Sequence, residues 1–194
     1  MIDVLAALGL ALAPVVTPPL PAALLPYRAD LQRHAQFYFG IPGPLAVLAA
    51  QMAQESDFNP SARSRVGAAG LYQFMPATAM WAGEQLGLPA APLNPAWAIR
   101  AGVWYDKWLM ERVNYQRDCD KWGATLSSFN GGLGWQYKRQ LRAKDPLDFW
   151  GSVRLINPGI TAANQRENQD YPKRIVYERQ AQFRALGGRL VCIT

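Results

Sequence analysis

Residues 51–79 read QMAQESDFNPSARSRVGAAGLYQFMPATA, an acid at the end of an apolar run followed by a loop punctuated with serine and glycine. Upstream, Pro44 suits a first helical position, and Leu45, Leu48 and Met52 recur at helical spacing with Glu55 next on the same stripe. A lone helical Glu usually ends a solvated surface helix. Its place on the apolar stripe instead predicts a buried face. A carboxyl at the edge of an apolar environment has its charged form disfavoured, so its pKa should rise toward the range where it donates a proton at neutral pH. Asn59-Pro60 is expected to stop this helix, because the residue before proline is pushed out of the helical region. Ser61, Ser64, Gly67 and Gly70 make a polar loop that folds back, and Pro76-Ala77-Thr78-Ala79 reads as the next helix start.

Outward from this stretch the pattern is helical. Leu31, Ala35 and Tyr38 predict an amphipathic helix over 27–39, delivered into the Glu55 helix by Gly40-Ile41-Pro42-Gly43. Gly87 should end the helix that begins at Pro76, and Asn94-Pro95 should cap a long one in which Trp97, Ala101, Trp104, Trp108 and Arg112 share a face. Tryptophans at that spacing read as core before they read as a sugar-stacking platform. A further helix over 122–129 ends at Asn130-Gly131-Gly132. Another is expected from Asp145-Pro146 to a break at Asn157-Pro158-Gly159, and a last one from about Asp170-Tyr171-Pro172 to Gly187-Gly188. Period-two strand patterns are rare and no internal repeat is visible, so a mainly α architecture with few or no strands is expected.

The 194 residues, half of them hydrophobic, suffice for one domain with a sizeable core. Residues 1–26 are apolar, rich in Ala, Leu and Pro, and hold one charge, Asp3. They lack the basic start of a secretory signal, and the run over 4–16 is too short to span a bilayer. With prolines at 14, 18, 19 and 21 they read as an extended appendage to a domain over 27–194, one that docks to a virion, a secretion machine or a membrane. An uncleaved weak signal or anchor is the alternative.

A net charge of +6 favours anionic partners in general. No Lys/Arg block with interleaved aromatics is present, which argues against specific nucleic-acid binding. The single His34 argues against metal catalysis, which generally needs several imidazole or thiolate ligands. A Cys-His thiol hydrolase is disfavoured too, since His34 lies far ahead of Cys119 and Cys192, and neither cysteine is in a context that favours a thiolate. Whether the two cysteines are bridged is left open at this level.

Glu55-Ser56-x-Phe58-Asn59-Pro60 and Gly67-Ala68-x-Gly70-Leu71-x-Gln73-x-Met75-Pro76-x-Thr78-Ala79 resemble the first two motifs of the soluble lytic transglycosylase family, whose catalytic domain shares the goose-type lysozyme fold. Ser128-Phe129-Asn130-Gly131-Gly132 resembles the third, usually Ala-Tyr-Asn followed by a small residue and Gly. Glu167-Asn168-x-x-Tyr171 resembles the fourth, normally Glu-Thr-x-x-Tyr. The departures are Tyr72, where the family usually has methionine in a sugar subsite, with Ser128, Phe129 and Asn168 for Ala, Tyr and Thr. The resemblance spans about residues 26–187.

It implies a lysozyme-like fold and cleavage of the β-1,4 bond between N-acetylmuramic acid and N-acetylglucosamine in the glycan strands of peptidoglycan. A glycosidase normally pairs two carboxylates, yet Asp57 points off the Glu55 face, and Glu84 and Asp106 carry no motif. The family resolves this with one Glu acting as acid and then base. The substrate's 2-acetamido group is the nucleophile, and the 6-hydroxyl closes a 1,6-anhydro ring without a cofactor. Carried over residue by residue, Glu55 is the acid/base and Ser56 orients the acetamido group or leaving sugar. Tyr72, Gln73, Phe129 and Asn130 bind substrate, and Tyr171 approaches the acid. The expected place of action is the bacterial periplasm or cell envelope, reached by virion carriage or by export without a typical signal. A hydrolytic muramidase of the same fold, and a non-catalytic peptidoglycan-binding component, stay open as alternatives.

Overall fold

The structure, a computed structural model, describes residues 18–192. Among them are seven α-helices and no strand: α1 (Arg28–Phe39), α2 (Leu45–Ser56), α3 (Pro76–Leu86), α4 (Pro95–Met110), α5 (Asp118–Gly131), α6 (Leu133–Arg142) and α7 (Ala162–Lys173). The architecture is lysozyme-like and mainly α, as expected. α2 is its centre. Every residue from Leu45 to Ala53 is buried, so the helix has no solvated face until its last turn and packs against α1 and the C-terminal helical segment. The stripe expected of Leu45, Leu48 and Met52 is therefore part of a surface buried all round and apolar except at Gln51, and Glu55 is reached by the chain as it leaves the core.

The helix stops earlier than expected. Asp57 caps it in the left-handed conformation (φ 49°) and Phe58 follows at φ 62°, so Pro60 lies beyond the break. A bulky residue at positive φ carries strain. Phe58 is held there by burial and by an edge-on contact with Phe183, ring centroids 5.8 Å apart.

Other boundaries follow local chemistry. Pro76 opens α3, Gly87 ends it at φ 65°, and the Asn94 side chain accepts from the Trp97 N–H at 3.1 Å to cap α4. Trp97 is core, while Trp104 and Trp108 are half-buried beside Trp81. Three expectations are corrected. The segment expected to be helical from Asp145 forms turns and one short 3-10 helix, Val153–Leu155. α6 had no counterpart in the sequence reading. The last helix begins at Ala162 rather than near Asp170. It carries Pro172 inside α7 and continues as a π-helical turn, Arg174–Arg179, then a 3-10 segment, Gln180–Leu186. A proline lacks the N–H for the α register, and a change of helical pitch after it accommodates that loss.

At the N-terminus, residues 1–17, with Pro14 and most of the expected appendage, lie outside the described residues. Ala22–Tyr27 is a 3-10 helix whose Leu24 is buried in the core, so the boundary expected after residue 26 falls inside packed structure. No helix among the described residues is long and apolar enough to cross a membrane. Cys119 and Cys192 form a disulfide that ties the start of α5 to the C-terminal tail.

Candidate active site

Glu55 lies on the wall of an open cleft of about 560 Å³, with Gln73, Phe129, Asn130, Glu167 and Tyr171 among the lining residues. Burial at the end of the core helix pushes its carboxyl up to about 8. The Tyr171 hydroxyl, which donates to Glu55 Oε1, pulls the other way, and nearby Glu167 adds to the rise. The Tyr171 phenol is itself raised well above its ordinary value, by burial first and then by Glu55, so it remains an O–H donor. A protonated carboxyl facing a solvent-open cleft at neutral pH can donate its proton to a bound group.

The loop after α2 forms the opposite lip, and backbone bonds lock it. The Ser64 N–H donates to Ala68 O and its hydroxyl accepts from the Ala68 N–H, both at 2.9 Å, while Ala69 and Phe74 exchange N–H···O bonds at 3.0 Å. Gln73 has a left-handed backbone (φ 45°), and its amide donates to Ala62 O at 3.2 Å and Gly70 O at 3.0 Å. Gly70 is required twice over. Its φ is 78°, and a Cβ there would lie 1.7 Å from Pro92 O.

The far wall is the end of α5, and α7 aligns it. Asn168 donates to Ser127 O at 2.8 Å and to Asn130 Oδ1 at 3.0 Å, and accepts from the Ser127 hydroxyl at 2.8 Å. Asn130 in turn donates to Glu167 Oε1 at 3.4 Å. The Asn168 amide fills the space against Gly131, where a Cβ would come within 2.5 Å of it. Asn168, a departure from the expected motif, is thus what orients the Asn130 amide at the cleft. Phe129 presents its ring between Tyr105, 5.2 Å away, and Phe74, 6.1 Å away.

The fold therefore brings Glu55, Gln73, Phe129, Asn130 and Tyr171 to one cleft, and it leaves out two residues expected to bind substrate. Tyr72 is fully buried, because Gly102 on α4 leaves room for its ring, so it does not line the cleft. Ser56 is turned inward, its hydroxyl bonding to Leu71 O at 2.9 Å and Met52 O at 3.2 Å, which ties α2 to the loop. Two carboxyls to which the sequence assigns no role lie at the site. Glu167 lines the cleft, although its motif drew attention only to Tyr171. Asp106 is wholly buried behind the site and is bonded by the Gln51 amide at 3.2 Å. An acid in the middle of an apolar helical stripe was the available signal for Asp106.

Comparison with known proteins identifies a family and a fold. The family model described as the Transglycosylase SLT domain matches residues 42–149. Over 115 residues, 57% of the chain, the sequence is 38% identical to a membrane-bound lytic murein transglycosylase F of Shewanella frigidimarina, of which the match covers 23%. A structure of the lytic transglycosylase Slt from Pseudomonas aeruginosa, an inactive mutant, superposes over 84% of this chain and 25% of that one, with a TM-score of 0.64 and 24% identity. The 70 kDa soluble lytic transglycosylase of Escherichia coli superposes over 87% of this chain and 26% of that one, with a TM-score of 0.61 and 21% identity. The chain thus spans about a quarter of the length of these relatives.

Proposed function

This chain belongs to the Transglycosylase SLT domain family, and on that footing we propose that it is a peptidoglycan lytic transglycosylase with Glu55 as its single acid and base. The observation that carries the reading is the Glu55 carboxyl, held by burial at about 8 on a solvent-open cleft and bonded by the Tyr171 hydroxyl. In the proposed reaction Glu55 donates its proton to the glycosidic oxygen as the bond to C1 of N-acetylmuramic acid breaks, and the substrate's acetamido oxygen closes onto C1. The resulting carboxylate takes the proton of the 6-hydroxyl while that oxygen displaces the acetamido oxygen, leaving a 1,6-anhydro ring and consuming no water. Tyr171 steadies the carboxylate between the two steps, since a hydrogen bond to a charged acceptor is stronger than one to a neutral acid. Asn130 and Phe129 offer an amide and a ring face to the sugar, and Gln73 shapes the lip.

Glu167 on the same cleft supports a second reading, in which it activates water and the products are those of a muramidase. Product analysis decides between the two. Digestion of purified cell walls should release muropeptides with anhydro ends, and reducing ends in their place would assign the hydrolytic route. Glu55→Gln keeps the size of the side chain but cannot transfer the proton. General acid and base assistance is worth about a hundred- to ten-thousand-fold each, so product release should fall by at least about ten-thousand-fold. A variant that still releases product would hand the chemistry to another group and end this assignment.

The proposed place of action is the cell envelope, where peptidoglycan lies and where the Cys119–Cys192 disulfide would persist. A placing role for the N-terminal segment, at a virion, a secretion machine or a membrane, is proposed for residues ahead of Ala22.

A further inference from the structure

Beside the cleft lies a second hollow of about 250 Å³, and the two share Asn130, Gly131 and Glu167 along a common rim. Trp135 in the first turn of α6, Ile160 in the loop ahead of α7, and Asn164 in the first turn of α7 complete its walls, together with Asn168. Trp135, Ile160 and Asn164 lie outside the four motifs that resemble the lytic family, and the sequence marks 157–159 only as a break between helices.

Bonds within the protein set these walls in place. Asn157 locks the loop: its Oδ1 accepts from the Gly159 and Ile160 N–H groups, both at 2.9 Å, and its Nδ2 donates to Ile160 O at 3.0 Å. Thr161 then caps α7 by accepting from the Asn164 N–H at 3.2 Å, which leaves the exposed Asn164 side-chain amide to the hollow. On the facing side, Gly132 at φ 94° turns the chain from α5 into α6 and brings Trp135 to the rim. The Lys138 ammonium lies over the Trp135 ring, 4.1 Å from its centroid, and the indole is still 36% exposed.

A half-open indole and an isoleucine set beside an amide and a carboxyl form a mixed surface of particular chemistry. A sugar ring matches it, with C–H groups for the apolar surface and hydroxyls at its edge that both donate to a carboxyl and accept from or donate to an amide. The Glu167 carboxyl on the rim disfavours an anion. We propose that this hollow is a further saccharide subsite, in which a sugar of the strand held in the cleft stacks on Trp135 and is bonded by Asn164 and Glu167. Binding energy gathered there, away from the bond that breaks, helps to hold the strand at Glu55. The inference rests on the reading of the cleft as a glycan site.

The probe is a β-1,4-linked pentamer of N-acetylglucosamine titrated into Glu55→Gln, with side-chain N–H signals followed by NMR. The Trp135 indole and Asn164 amide signals, assigned through Trp135→Phe and Asn164→Leu, should move and saturate together with the Asn130 amide signal. In calorimetry Trp135→Ala, made in the same background, should weaken pentamer binding about tenfold, while Trp135→Phe, which keeps a ring, should stay within about threefold. A Trp135 that only braces α6 would leave the affinity unchanged once folding is confirmed by the melting midpoint. Should Trp135→Ala fail to fold, Asn164→Leu at its exposed position is expected to lose about threefold or more.

Movement at Asn130 while Trp135 and Asn164 stay still overturns the subsite and leaves the cleft a glycan site. Unchanged affinity in both variants overturns it as well. Shifts at Trp135 with a free peptide stem and none with the pentamer give the hollow to the peptide, against this inference. A pentamer that moves no signal overturns the subsite together with the glycan cleft on which it rests. Because the titration reads binding without chemistry, an absence of anhydro products from cell walls would remove the lytic reading and leave this result standing.

Discussion

At Glu55 two opposed influences meet, burial at the end of α2 raising the proton affinity and the Tyr171 hydroxyl lowering it. The balance makes the residue an acid at neutral pH and leaves it stabilised once ionised. It also ties folding to proton retention. The folded protein keeps the Glu55 proton up to about pH 8, whereas the unfolded chain releases it near 4.5. Between these values the native state binds the extra proton, so this residue's contribution is full below the lower value and is lost as pH rises through the upper one. Glu55→Gln has no proton to lose. Its stability relative to wild type should therefore grow from near zero below about pH 4 to a plateau above about pH 9, with an upper limit of about 5 kcal/mol. Denaturant melts of both proteins across that range check the slope, and parallel curves would mean that the carboxyl is not desolvated. The sequence located this residue through its place after Leu45, Leu48 and Met52. It did not locate Asp106 or the inward turn of Tyr72, because those depend on α4 arriving with Gly102 against the Tyr72 ring.

The elements around the cleft differ in how far local chemistry defines them. α3 and α4 begin at Pro76 and at the Asn94 cap, signals that act within one turn of the helix they start. α6 escaped notice because its inward face is polar. Gln136 donates to the Tyr115 hydroxyl at 3.0 Å and Arg139 to Gln165 Oε1 at 3.1 Å, so no apolar period marks the helix. The loop after α2 is the most constrained element. Gly70→Ala places a methyl group against Pro92 O at a left-handed backbone, and the loop must move to relieve it. The expected cost is at least about 3 kcal/mol in denaturant melts, with the proposed wall-lytic activity falling with it as the lip carrying Gln73 shifts. Activity unchanged at wild-type stability would show the loop to be more compliant than its contacts indicate.

At the scale of the whole molecule the two ends of the described chain are fastened by different means. The Cys119–Cys192 bridge closes a span of 73 residues, which restricts the unfolded chain by about 4 kcal/mol on the loop-entropy account. Reduction, or Cys192→Ser, should lower the melting midpoint accordingly without changing the order of Glu55 and Tyr171 at the cleft. Equal midpoints for the oxidised and reduced protein would mean that the tail is held by packing alone. At the other end, deleting residues 1–17 should leave stability and wall activity close to wild type. Deleting 1–26 also removes Leu24 from the core, at a cost of roughly 2–5 kcal/mol if the loss resembles a large-to-small core substitution. Two deletions of equal stability would return the domain boundary to residue 26.

By itself the sequence determined the helical class, the acid at the end of α2, the cap residues of α3 and α4 and the glycine-dependent loop. All of these follow from interactions within a few residues of one another along the chain. Tertiary structure alone decided which side chains reach the cleft. Asn168 aligns Asn130 from 38 residues away, Tyr171 meets Glu55 across 116, and Gln51 meets Asp106 across 55. Ser56 and Tyr72 belong to the motif and yet face inward, since their orientation is set by what packs against them. A motif specifies residue types along one chain segment, whereas the direction of a side chain and the proton affinity of a carboxyl depend on neighbours that only folding supplies.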